Sequence, residues 1–365
     1  MGICDCLTNQ NKNPNKNINA LQQSQGQNII TNPNPQMIPS NQKKENENVK
    51  EIIPYFIESE NKYKNFELIN TTIAHNDNIT CLIELHNKKI MTGSNDKTIK
   101  IWNLNDISQI TCEKIILNKE KVICLLEFEP DFLLIGEQSE NIILMNINKP
   151  DEQKIYFKGH LLYVNCLIKL NEKYFASASN DTEIRIWDYF QRVCVNVLSG
   201  HELNIFCLIK LNNDKICSAG NDKVIKIWNW KENKLEANLT GNKSWIKSLL
   251  YLKNKNIILS GSDDGIIKYF ENNKDIKEIK AHENSVKYLC NINERYIASC
   301  SFDKSIKIWD LNEGNCVQNL NGHLDKVICL LYHSDGYLIS CSNDKTFIIW
   351  KQDKNTPINL NTNLY

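Results

Sequence analysis

The chain has 365 residues, with 43 basic and 43 acidic side chains and a formal net charge of zero. That balance argues against nucleic acid as the main partner, because phosphate binding needs a clustered basic surplus. No apolar run reaches the roughly 18 residues of a membrane-spanning helix, and the first residues lack the apolar core of a secretory signal, so the expected location is cytoplasmic.

Residues 1–62 open the chain with a stretch dominated by Asn and Gln. It holds too few aliphatic and aromatic side chains to offset its ordering entropy, so it reads as a disordered arm. The tip of the arm is Met1-Gly2-Ile3-Cys4-Asp5-Cys6, and no further cysteine occurs before Cys81. Gly2 is a candidate for myristoylation, although Cys6 stands where that pattern prefers Ser or Thr. Cys4 and Cys6 are candidate palmitate acceptors, and a second acyl chain converts marginal membrane attachment into stable attachment. The alternative is an unmodified tip on a soluble protein.

From residue 63 onward, short apolar runs alternate with clusters of Asn, Asp, Gly and Lys, the pattern of many strands and tight turns. A strand is expected at 65–73, then 79–85 and 89–94, a turn at Asn95-Asp96-Lys97, and a strand at 98–102. This unit repeats. Trp102, Trp187, Trp228, Trp309 and Trp350 each lie 27 residues after a histidine, namely His75, His160, His201, His282 and His323. Six residues before each Trp stands Asp96, Asp181, Asp222, Asp303 or Asp344, and four before each Asp stands Thr92, Ser177, Ser218, Ser299 or Ser340. Two weaker copies fill the gaps. One spans 118–146, with Asn118, Ser139 and Met145 in place of His, Asp and Trp. The other starts at Asn242, runs through Asp264 to Phe270, and is one residue longer. The total is seven units.

The 14 cysteines follow the same register. Cys81, Cys124, Cys166, Cys207 and Cys329 recur at one strand position, so they read as small buried side chains kept reduced, not as a disulfide framework. No C-x-x-C pair occurs, and no metal site is expected.

The period, the Gly-His opening and the Trp-Asp or Trp-Asn ending resemble the WD-repeat (β-transducin-like) propeller family over roughly residues 65–350. The resemblance implies an all-β, seven-bladed propeller of four-stranded antiparallel blades over 63–351. The 65–73 strand would serve as the outer strand of blade seven and close the ring, leaving 352–365 as a tail. It also implies that the His, Ser or Thr, Asp and Trp of each complete unit form a buried hydrogen-bonded set, with blades two and five less rigid for lack of it.

The five His–Asp pairs therefore read as structure, not as catalytic dyads. His86 and His333 receive no role. No phosphate-binding Gly loop, nucleophile elbow or zinc-protease helix occurs. The calcium-loop-like start at Asp310 fails, because Asn321 stands where the ligating Glu belongs. No catalytic residue and no cofactor are expected.

In this family the narrow top face contacts partners, at positions three and five residues after the His and one before the Asp. Carried onto this chain, Tyr163, Phe206 and Trp245 fall on three consecutive blades and would form an aromatic arc. Phe302 lies one blade further, Lys247 and Lys287 flank the arc, and Ile328 completes the candidate surface. Aromatic rings beside cations are the composition of interaction hot spots. The expected function is a scaffold or adaptor that binds a protein or peptide on the top face, with an acidic or phosphorylated segment suggested by the lysines. Two rivals are a soluble subunit of a ciliary, trafficking or ubiquitin-ligase assembly without a lipid anchor, and a G-protein β-like subunit. The Asn- and Pro-rich arm has no heptads, which disfavours the latter.

Overall fold

The computed structural model describes residues 65–352. The candidate acylation sites Gly2, Cys4 and Cys6, the rest of the arm and the chain after Gln352 lie outside the described residues. Within them, twenty-eight strands and no helix form seven antiparallel sheets of four strands. We number the sheets as blades 1–7 in the order of their innermost strands, which are Ile79–Glu84, Val122–Glu129, Val164–Lys169, Ile205–Lys210, Ile246–Leu252, Val286–Asn291 and Val327–Tyr332. Each innermost strand packs against those of the two neighbouring blades, and blade 7 packs against blade 1, so the sheets make a ring around a central channel.

The sequence explains why the blades stack. In the second strand of blade 1, Ile90–Ser94, every residue is buried. Consecutive buried positions require cover on both faces of a sheet, and neighbouring blades supply it. One apolar cluster joins Ile79, Ile90 and Trp102 of blade 1 to Ile339, Phe347 and Ile349 of blade 7. Trp102 meets Phe347 edge-on there, with ring centroids 5.1 Å apart. Full burial of side chains of this size contributes about 1.5–3 kcal/mol each.

The outer strand of blade 7 comes from the start of the described chain. Phe66–Ile73 runs antiparallel to Thr346–Gln352, with Phe66 opposite Gln352 and Ile73 opposite Thr346. The Gln318 side chain of blade 6 holds the beginning of this strand. It accepts from the Phe66 N–H and donates to the Phe66 carbonyl, both at 2.8 Å.

The cysteine register has a steric cause. Cys81 pairs opposite Gly93, Cys124 opposite Gly136, Cys166 opposite Ala178 and Cys207 opposite Ala219. The fit is tight, since a Cβ added at Gly93 would stand 2.6 Å from the Cys81 sulfur. All twelve described cysteines are free. Burial pushes their thiols up, to about 11 at Cys166 and about 12 at Cys329, so they remain protonated.

Candidate protein interface on the top face

The five complete sets of His, hydroxyl, Asp and Trp anchor the top-face loops. In blade 4, the Trp228 indole N–H donates to Ser218 Oγ at 2.7 Å, the hydroxyl meets His201 Nε2 at 2.6 Å, and His201 Nδ1 meets Asp222 at 2.6 Å. The carboxylate fixes the tautomer. It can only accept, so Nδ1 carries a proton facing it, and in the neutral ring Nε2 accepts from the hydroxyl, which itself accepts from the indole. Blades 1, 3, 6 and 7 repeat these contacts with Nδ1–carboxylate distances of 2.7–2.9 Å. Gly200 leads into the set of blade 4, and a Cβ there would lie 3.1 Å from the Trp228 ring.

Hydrogen bonds set the charge of these sets. Burial alone would raise the pKa of Asp96, but bonds from the Thr98 hydroxyl, the Asn76 N–H and His75 outweigh it and hold the carboxyl at about 2. Asp181, Asp222, Asp303 and Asp344 are held below the ordinary range in the same way. Burial lowers His75, against the pull of Asp96. In blade 1 the anchor is thus neutral imidazole on ionised carboxylate at neutral pH.

The two incomplete blades use substitutes. In blade 5, Ser260 donates to Asn242 at 3.0 Å. In blade 2, the carboxylate of Glu137 accepts from Asn118 at 2.6 Å and from Ser139 at 3.2 Å. Glu137 escapes sequence reasoning because it stands two residues before the position of the repeated Asp.

A feature common to all seven blades aims a ring of side chains at the channel. In each innermost strand the pairing register shifts by one residue, between Ile79 and Cys81 in blade 1 and at the matching places in the others. The skipped residues are Thr80, Ile123, Asn165, Phe206, Lys247, Lys287 and Ile328. Such a bulge frees a side chain from the pleat and re-aims it. All seven line one cavity of about 420 Å³ at the channel.

The residues expected to bind a partner thus divide. Phe206, Lys247 and Ile328 are ring members, with Ile328 separated from the other two by blade 6. The Lys247 ammonium lies 4.0 Å from the Phe206 ring centroid and 4.8 Å from that of Trp245, sandwiched between them. Burial lowers the Lys247 pKa, Asp263 opposes the shift and Lys287 adds to it. Trp245 is 44% exposed and Tyr163 36% exposed. Among the described residues no ring contact links Tyr163 to Phe206 or Trp245. Phe302 pairs instead with Lys326, 4.9 Å from ammonium to centroid. The arc is therefore a Phe206–Lys247–Trp245 sandwich with Tyr163 beside it, not a continuous run of rings.

Four exposed top-face leucines were missed, of which Leu324, after His323 in blade 7, stands apart from the others. Leu161 and Leu162 follow His160, and Leu203 lies two residues after His201, all on top-face loops of blades 3 and 4. The signal was available, because blade 1 has Asn76-Asp77 and blade 6 has Glu283-Asn284 at those positions. With Tyr163 and Trp245 the leucines of blades 3 and 4 give three consecutive blades an exposed apolar rim.

The model of the WD domain, G-beta repeat family matches residues 66–103, 151–188, 192–229, 233–271, 273–310 and 314–351, more than half of the chain. The chain belongs to this family. The unmatched interval, 104–150, contains the three inner strands of blade 2, the blade that lacks His, Asp and Trp. The chain is 37% identical over 67 residues to the striatin homolog of Dictyostelium discoideum, which is 18% of this chain and 8% of that protein. It is 31% identical over 105 residues to WD repeat-containing protein 1 of Gallus gallus, 27% of this chain and 17% of that protein. It is 27% identical over 112 residues to the E3 ubiquitin-protein ligase COP1 of Pisum sativum, 29% of this chain and 16% of that protein. These matches span less than a fifth of each relative. The crystal structure of the WD40 β-propeller domain of Doa1 superposes with a TM-score of 0.73 at 21% identity, covering 80% of this chain and 98% of that one. That likeness establishes the fold.

Proposed function

We propose that this chain is a non-enzymatic scaffold or adaptor that docks a protein segment on the top face of blades 3–5. The observation that carries the reading is the co-location of an exposed apolar rim (Leu161, Leu162, Tyr163, Leu203, Trp245) with the half-buried Lys247. Apolar anchors exclude water and make nearby charge effective, which is the composition of a hot spot. The cation at its centre favours an acidic or phosphorylated segment. The Phe206–Trp245 gap already holds the protein's own ammonium, so a second cation is disfavoured there.

The test is site-specific photo-crosslinking in the native cell. A photoreactive phenylalanine replaces Leu203 on the top face or Lys253 on the opposite face. Crosslinked partners specific to position 203 support the reading, and crosslinks confined to position 253 overturn it.

We further propose that the arm tethers the scaffold to the cytoplasmic face of a membrane through acylation at Gly2 and at Cys4 or Cys6. The supporting feature is a paired cysteine tip in an arm with no other cysteine. Incorporation of alkynyl myristate and palmitate, abolished by Gly2→Ala and by Cys4→Ser/Cys6→Ser respectively, is the expected result. Absence of label in the native cell returns the arm to an unmodified, soluble state.

A further inference from the structure

The cavity at the channel mouth has a charge that its own walls do not balance. Its lining includes two lysines, Lys247 and Lys287, and no aspartate, glutamate or arginine. The two occupy the same bulged position on adjacent innermost strands. Neither has an ion pair or hydrogen bond among the described residues. Lys247 rests only on aromatic faces, and Asp263 acts on it from beyond ion-pair distance.

The same molecule satisfies its other enclosed ammoniums. Lys268 pairs with Asp275 and Glu278, and Lys226 donates to Asn238. The polar side chains at the same bulged position in blades 1 and 3 are committed. Thr80 donates to the Val122 carbonyl at 2.6 Å, and Asn165 donates to Asn180 and to the Ile205 carbonyl. What remains unanswered is positive charge, together with the buried Ser248 hydroxyl beside Lys247, which has no hydrogen-bond partner among the described residues.

The position of Lys287 shows how central that charge is. Burial raises the thiols of Cys166, Cys207, Cys300 and Cys329, and the Lys287 ammonium partly offsets the rise at all four. Those thiols belong to blades 3, 4, 6 and 7, so the ammonium reaches toward the middle of the ring. Tyr288 lines the same cavity, with its exposed surface turned to the channel interior. Burial among protein groups raises its phenol, which therefore keeps its proton and does not add negative charge.

We propose that Lys247 and Lys287 together bind one anionic group, a phosphate or carboxylate, inserted end-on into the channel mouth. The inference deepens the docking reading and rests on it for the source of the group, an acidic or phosphorylated side chain of the docked segment. Two ammoniums in one walled cavity, with no carboxylate in its lining, favour a single compact anion over an extended acidic surface. A doubly charged phosphate satisfies both.

The experiment uses the full chain, with its lysines reductively methylated by 13C-formaldehyde and followed by NMR. Inorganic phosphate and acetate are titrated separately at constant ionic strength. The Lys247 and Lys287 signals, identified by their loss in Lys247→Gln and Lys287→Gln, are expected to move saturably, at lower concentration for phosphate than for acetate. Lys287→Gln is expected to weaken the Lys247 response at least tenfold while the protein still melts cooperatively. Responses no larger than that of the exposed Lys149 overturn the proposal. Partners captured by crosslinking at position 203 are then compared with and without phosphatase treatment and in Lys247→Gln/Lys287→Gln. Loss in the double variant supports a segment-borne anion, and phosphatase sensitivity identifies it as phosphate. Partners that persist undiminished in the double variant overturn the segment as the source. If NMR shows no anion site while position 203 still crosslinks, this inference fails and the docking reading stands.

Discussion

The Lys247 ammonium lies over the Phe206 ring, 4.0 Å from its centroid, and so joins blade 5 to blade 4 at the channel mouth. The contact spans a blade boundary, and Trp245 closes on the other side of the same ammonium at 4.8 Å. A double-mutant cycle of Phe206→Leu and Lys247→Met isolates it. Leucine keeps the apolar bulk and removes the ring face. Urea unfolding should give a coupling of about 0.5–2 kcal/mol, and a coupling near zero would mean that the two residues merely adjoin.

The hydrogen-bonded sets predict unequal costs for the same change in different blades. Ser177→Ala in blade 3 strips partners from both the Trp187 indole and His160 Nε2. It should cost about 2–4 kcal/mol in urea unfolding, since each orphaned buried group carries about 1–3 kcal/mol. Ser260→Ala in blade 5 breaks one bond, to Asn242, and should cost about 1 kcal/mol. Equal costs would contradict the assignment of blade 5 as the weaker set.

Acid should destabilise the ring in two stages. Burial holds His75 below its ordinary value of 6.5. The unfolded chain therefore takes up that proton first, and stability declines as pH falls below about 6.5. The five carboxylates of the sets are depressed when folded. Their stabilisation is fully present above the unfolded value near 4 and is lost as pH falls through the folded values, about 2 for Asp96. Thermal melts from pH 8 to 3 should show a shallow decline and then a steep one below about 4. Asp96→Asn should flatten the steep part, and a melting temperature that rises on acidification would contradict the account.

Close packing between cysteine and glycine gives a steric prediction. In Gly93→Ala the new Cβ would stand 2.6 Å from both the Cys81 sulfur and Val122 Cγ1. Overpacking of this kind costs about 1–3 kcal/mol. Adding Cys81→Ala should recover part of the loss, while Val122 keeps the remainder. Full tolerance of Gly93→Ala would show that the strand pair has slack.

Deleting 65–73 removes the outer strand of blade 7 and exposes the edge of Thr346–Gln352. The truncated chain should melt earlier and aggregate, because the bared strand presents unpaired N–H and C=O groups. An unchanged melt would show that this strand is dispensable.

The ring was legible because the His, hydroxyl, Asp and Trp must meet in three dimensions and so keep a fixed spacing in one. His160 and Trp187 are 27 residues apart for the same reason as His323 and Trp350. Blade 2 was legible only in outline, since Glu137 takes over the acceptor role from another position. The seven skipped residues all stand five after the His or its substitute, a position the family resemblance already singled out, but that each is skipped in the strand pairing is visible only in the registers. Tyr163, three residues after His160, stands on the loop, and Phe206, five after His201, stands on the bulge, so the aromatic arc grouped two different repeat positions.

The top face of blades 3–5 is the proposed working surface. The most direct measurement is an affinity capture from the native cell comparing the wild type with Phe206→Ala/Trp245→Ala, read by mass spectrometry. The prediction is that a discrete set of partners disappears while the variant still melts cooperatively, somewhat below the wild-type temperature because the Lys247 sandwich is lost. An unchanged partner list from an intact, folded variant would contradict it.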